Sequence, residues 1–126
     1  MSESRHQILS LAQIEIQVTD LQQSLEFYID KLGLTCHYQT EEVALLNIEA
    51  VNLLVVEVEA ETVTPSEYLI ICLQVKDIFA TYQRLLDLHL EFTQAPHCVS
   101  RVSDMSVWQA FTNDPDGHVI GLQSQL

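Results

Sequence analysis

The chain has 126 residues, 48% of them apolar, with three Gly and three Pro. A single domain of this length buries roughly two thirds of its unfolded surface and needs neither disulfides nor a structural metal to fold, which excludes disordered, collagen-like and repeat-array classes. Five Lys and Arg against eighteen Asp and Glu leave a net charge of −13. That field repels phosphate backbones and anionic headgroups and concentrates cations, so nucleic acid and membrane surfaces are poor partners.

In chain order, Met1–Ser10 is a polar arm without the apolar core of a secretory signal, and no later apolar run approaches the ~20 residues of a membrane span, which together point to the cytoplasm. Leu11–Val18 has strand character and runs into Asp20, placed to cap a helix from Leu21 to Leu32. Leu21, Leu25, Tyr28 and Leu32 form one apolar stripe, and Gly33 supplies the left-handed stop. Strands are expected at Leu34–Gln39, Val43–Ile48 and Val51–Glu59.

The same beginning then recurs. Ile16-Gln17-Val18-Thr19-Asp20-Leu21 returns as Leu73-Gln74-Val75-Lys76-Asp77-Ile78, 57 residues later, with Gln, Val and Asp unchanged. A second strand, Tyr68–Val75, leads to a helix at Ile78–Leu86 that stops near Asp87–His89 without a glycine. Strands follow at Leu90–Thr93, Ser106–Thr112 and Val119–Gln123, the last two joined by the turn Asn113-Asp114-Pro115-Asp116-Gly117. The fold class is α+β: one domain over 1–126, built of tandem βαβββ modules at 11–59 and 67–124 with a linker at 60–66. A lone module has too little core, so the two pair into a curved, cup-shaped mixed sheet with helices outside.

Val18-Thr19-Asp20-Leu21, Phe27-Tyr28, Leu32-Gly33-Leu34 and the closing Asp114-Pro115-Asp116-Gly117 resemble the vicinal oxygen chelate superfamily of glyoxalase I, bleomycin-resistance proteins and extradiol dioxygenases. The resemblance spans nearly the whole chain. It implies four metal-ligand positions, which fall here on Gln13, Ile70, Gly121 and one residue within Leu53–Glu57. Ile and Gly have no side-chain donor, and within the fourth stretch only Glu57 does. At best two of four ligands are present, so neither a metal nor another cofactor is expected. His6, His37, His89, His97 and His118 show no paired spacing that would build a different site. His97 and Cys98 are neighbours on an extended segment and point to opposite faces. Cys36, Cys72 and Cys98 form an odd set without C-x-x-C spacing, as free thiols do.

Period-2 parity from the ligand-equivalent positions turns Gln13, Glu15 and Gln17 toward the cup on one rail and Ile70, Cys72 and Gln74 on the other, with Val119, Gly121 and Gln123 on the last strand. Gly121 is expected to widen the cavity. Trp108 either walls the cup or packs between helix and sheet; Glu57 either reaches the cup or decorates an edge; Glu15 either faces the cup or lies on its rim. The ligand-binding set is therefore Gln13, Glu15, Gln17, Glu57, Cys72, Gln74, Trp108 and Gly121, with no catalytic residue assigned. It suits a metal-free binding protein for a small cationic or amphipathic aromatic molecule, in the manner of drug-sequestering members of the superfamily. The alternatives are a glyoxalase-like isomerase or lyase, a metal-free acid-base enzyme using Glu15 or Glu57, and an interaction module with a collapsed cup. The resemblance also implies a homodimer.

Overall fold

The computed structural model describes residues 5–66 and 68–126; the start of the arm at 1–4 and the module boundary at 67 lie outside them. Strand β1 is Gln13–Val18, helix α1 is Leu21–Leu25, and β2, β3 and β4 are Thr35–Gln39, Val43–Ile48 and Val51–Glu57. After a short 3-10 turn at Ala60–Thr62 the order repeats: β5 is Ile70–Gln74, α2 is Ile78–Asp87, and β6, β7 and β8 are Phe92–Val102, Met105–Asn113 and Val119–Gln125. Each module forms its own four-stranded sheet, in the orders β1-β4-β3-β2 and β5-β8-β7-β6. The first and last strands of each module are parallel and the rest antiparallel. Among the described residues no strand ladder joins the two sheets, and the modules meet through side-chain packing and hydrogen bonds made by side chains. No helix among the described residues is long and apolar enough to cross a membrane.

Both capping aspartates act as expected. Asp20 Oδ1 accepts from the Gln23 N–H, and Asp77 Oδ1 accepts from those of Phe79 and Ala80. Gly33 has φ +83°, and His89 takes the same left-handed conformation at φ 67°, which imidazole tolerates at some cost. The first helix departs from a uniform 3.6-residue winding: α1 continues as a π-helical segment, Glu26–Lys31, in which the Leu32 N–H reaches back to the Phe27 carbonyl (2.9 Å). Wider turns rotate Phe27 inward beside Tyr28, and the two rings pack edge to face at 4.9 Å. Both are buried, so the inward face is broader than the four-residue stripe.

Strands β1 and β5 start two residues later than expected and β4 ends two residues earlier, but the largest difference in extent is at β6. The strand expected at Leu90–Thr93 is an eleven-residue edge strand, Phe92–Val102. Its ladder with β7 slips between Phe92 and Gln94, Gln94 and His97, and Cys98 and Ser100. Pro96 falls inside the second slip, where no ladder N–H is needed, so bulges keep the strand going through residues that read as a loop. Tyr68 and Leu69, by contrast, precede β5 and are exposed.

One core joins the modules. Ile16, Val18, Leu21, Tyr28, Leu46, Leu53 and Val55 from the first pack with Ile78, Leu85, Ala110, Ile120 and Leu122 from the second. A polar seam accompanies it. The Tyr28 hydroxyl donates to Asp114 Oδ2 (2.7 Å), while Asp114 Oδ1 accepts from the N–H groups of Asp116 and His118. Thr19 donates through its N–H and Oγ1 to the Asp116 carboxylate, and His118 Nε2–H donates to the Gln17 carbonyl (2.7 Å). The Asp-Pro-Asp-Gly turn of module two therefore clasps β1 and α1 of module one. Burial, reinforced by the Asp114 charge and hydrogen bond, holds the Tyr28 phenol far above its ordinary pKa.

Candidate functional site

Alternation along each strand separates a helix-covered face from an open one. Ile16 and Val18 are buried under α1, whereas Gln13 and Glu15 are exposed on the other side. The ladders carry that assignment across each sheet in rows. In module one, Gln13, Asn52, Asn47 and Thr35 stand in register, and the next open-face row is Glu15, Leu54, Leu45 and Tyr38. In module two, Gln74, Gln123, Gln109 and His97 form a polar row beside the row Cys72, Gly121 and Phe111.

Within the polar row Gln109 Nε2 donates to Gln123 Oε1 (2.7 Å), which aligns the two amides. The same nitrogen lies 3.8 Å from Cys72 Sγ. Partial burial raises the pKa of the Cys72 thiol, which favours the neutral form at pH 7. His97 Nδ1–H donates to the Ala95 carbonyl (2.8 Å), and its ring tilts over Phe111 with centroids 6.0 Å apart. Gln109, Phe111 and His97 were not among the expected site residues. The parity that selected Gln123 selects Gln109 and Phe111 as well, once β7 is placed beside β8.

Two expected residues stand on the other face, and a third, Gly121, keeps its row but not its expected role. Glu57 pairs with Val18 in the ladder and so belongs to the helix side; its Oε1 accepts the Leu21 N–H (2.7 Å), an orphan donor in the first turn of α1. Trp108 pairs with buried Ser124 and packs edge to face on Phe79 of α2 at 5.4 Å, so it lies between helix and sheet against the core and is not a wall. Gly121 does not widen a cavity. A Cβ there would stand 2.7 Å from Cys72 Sγ and 3.1 Å from Phe111 Cε1, so the missing side chain is replaced by its two row neighbours. Because Glu57 serves the helix, Glu57→Ala should cost about 1 kcal/mol, the scale of a lost cap. Urea unfolding measures this, and ligand affinity should not change.

The position of Glu57 on the helix side bears on metal binding. The open-face residues of β4 are Asn52, Leu54 and Val56, so the four ligand-equivalent positions offer the amide of Gln13 and no carboxylate, imidazole or thiolate. Among the described residues no three His, Cys, Asp or Glu side chains are grouped to hold an ion. The divalent metal that the resemblance implies does not fit this donor set.

In each of four cavities among the described residues, the lining does not come from both rails. Glu15 and Gln17 line one of about 250 Å3 with Thr64, Ser66, Leu69 and His118. Cys72 and Gln74 line another, of about 420 Å3, with Ile48 and Glu49. Gln13 lines neither. The expected residues are thus brought together in two groups, one toward each end of the seam between the modules.

Comparison with known proteins agrees with this architecture. Residues 10–122 match the model of the Glyoxalase/Bleomycin resistance protein/Dioxygenase superfamily. A glyoxalase/bleomycin resistance protein/dioxygenase from Alicyclobacillus acidocaldarius superposes with a TM-score of 0.74 at 15% identity, covering 91% of this chain and 90% of its own. A putative glyoxalase family protein from Bacillus anthracis gives 0.75 at 12%, with coverage of 95% and 98%. Lactoylglutathione lyase from Agrobacterium tumefaciens gives 0.71 at 14%, with coverage of 93% and 94%. At such identities the shared property is the fold. No curated protein matches. With the family model covering both modules, the chain belongs to the Glyoxalase/Bleomycin resistance protein/Dioxygenase superfamily.

Proposed function

We propose that this protein binds a small amphipathic organic cation without a metal ion, in the cavity lined by Glu15 and Gln17. The observation that carries the reading is the placement of an exposed carboxylate on the wall of a cavity of about 250 Å3 beside the hydroxyl-bearing Thr64 and Ser66 and the apolar Leu69. A carboxylate there supplies counter-charge, the hydroxyls accept or donate hydrogen bonds, and Leu69 covers an apolar body. The net charge of −13 draws cations toward any cleft. Trp108 contributes no stacking, since its ring is committed to Phe79.

An acid-base reading through Glu57 has less support, because its carboxylate already serves the helix. We also propose a homodimer. The exposed side chains of Val102, Met105 and Leu126, around an apolar cavity of about 560 Å3 at the β6–β7 turn, support it. Light scattering in solution tests that part.

Binding is tested by titration calorimetry with benzylammonium and larger aromatic ammonium ions. Glu15→Gln should weaken binding about tenfold, the loss of one charge-assisted contact, with the melting temperature unchanged. No heat from any of these cations, or equal affinity in wild type and Glu15→Gln, would remove the proposal.

A further inference from the structure

The internal repeat makes the two ends of the seam equivalent, yet they are built differently. An offset of 57 residues relates Thr19 to Lys76, Phe27 to Arg84 and Tyr28 to Leu85. At one end Tyr28 and Thr19 bind the Asp114–His118 turn through side-chain oxygens. At the other end the turn between β3 and β4 passes from Ile48 to Val51 through Glu49 and Ala50 alone, with no Asp-Pro-Asp-Gly to accept a clasp. The helix there offers Leu85 instead of a phenol. An apolar cavity of about 160 Å3 lies where the first end has its polar clasp, walled by Leu32, Leu34, Ile48, Leu73, Leu85 and Leu122.

Its polar lining has a definite sign. Arg84 contributes to the cavity and is exposed. One guanidinium nitrogen, Nη2, donates to the Lys31 carbonyl (3.1 Å), which anchors the fork and leaves its other N–H donors available. The Thr81 hydroxyl is spent on the Asp77 carbonyl. Arg84 is the one charged residue among those that line the cavity. Cavities of roughly 150 Å3 lined by Leu and Ile accept a molecule the size of benzene. Seams between packed units are also where small ligands commonly bind.

We propose that the open end of the seam is a second binding site, for a small carboxylate with a compact apolar body: the ring or branched chain enters among the leucines and the carboxylate pairs with Arg84. This site lies at the opposite end of the seam from Glu15 and selects the opposite charge, so it does not depend on the function proposed above.

Benzoate, benzyl alcohol and benzylammonium share a ring and differ in charge, which makes them suitable probes. In methyl NMR spectra of the full chain, benzoate should shift the Leu73, Leu85 and Leu122 methyls, and benzylammonium should leave them in place. Arg84→Met keeps an apolar stem and should raise the benzoate Kd at least about tenfold, the loss of a charged hydrogen-bonded pair. Benzyl alcohol should bind wild type and Arg84→Met equally. Ile48→Phe, which fills the cavity, should abolish the methyl shifts; if that variant fails to fold, Arg84→Met alone carries the test. The proposal is overturned if those methyls do not respond to benzoate, if Arg84→Met leaves its Kd unchanged, or if benzylammonium shifts the same methyls as strongly.

Discussion

Asp114→Ala is expected to lose about 3 kcal/mol or more of unfolding free energy, one of the two largest losses we anticipate from a single substitution. Asp114 is buried and accepts from three donors: the Tyr28 hydroxyl and the N–H groups of Asp116 and His118. Removing it strands those donors, and each buried donor left without a partner costs on the order of 1–3 kcal/mol. Relaxation of the exposed rim toward water offsets part of the sum. Tyr28→Phe removes one bond from the same centre and should cost about 1.5–3 kcal/mol, the range for hydrogen bonds to charged groups. Urea denaturation of both variants measures these losses. A value below 0.5 kcal/mol for Asp114→Ala would show that the turn does not hold the modules together.

Tyr28 adds a pH dependence whose sign follows from its raised pKa. A phenol whose folded-state pKa lies above its unfolded value, about 10, keeps its proton longer in the native state. Its contribution is fully present below pH 10 and is lost as pH rises from there toward the folded-state value. The wild type should lose stability steeply in strong alkali, and in Tyr28→Phe this part of the slope should be missing. Equal alkaline slopes in the two proteins would contradict the buried Tyr28–Asp114 contact.

The second large effect separates two leucines that are adjacent in the chain. Leu53 is 1% exposed and belongs to the core, whereas Leu54 pairs with Glu15 on the open face and is half-buried. Leu53→Ala removes methyl groups from a close-packed site and should cost about 3 kcal/mol, within the range for buried Leu truncations. Leu54→Ala should cost about 1 kcal/mol or less, since part of its surface is already in water. Thermal and urea unfolding of the pair would settle the register of β4. If Leu54→Ala proved the more damaging, the faces would be exchanged and Glu57 would return to the open side.

Much of the architecture was legible in the chain because it rests on local rules. The repeat of Ile16–Leu21 at Leu73–Ile78 announced two modules, and Asp20, Asp77, Gly33 and His89 marked helix ends by backbone chemistry that needs no tertiary partner. Strict alternation placed Gln13, Glu15 and Gln17 together, and it placed Cys72 with Gln74. Other features are invisible to such rules. The π-helical winding that buries Phe27 depends on packing against the sheet. The full length of β6 depends on β7 pairing across bulges that break the alternation pattern.

Site composition divides the same way. The sequence by itself determined that Ile70 and Gly121 bring no metal donor, because donor chemistry belongs to the residue type wherever it is placed. Only tertiary structure decided the fate of Glu57, whose parity depends on one position of register and whose carboxylate was taken by α1. Trp108 was balanced between two faces until β7 paired with β8 and set it against Phe79. The difference between the two ends of the seam is tertiary as well. Tyr28 and Leu85 occupy matching places in the repeat, yet a clasp or a cavity results according to which turn the other module brings to meet them.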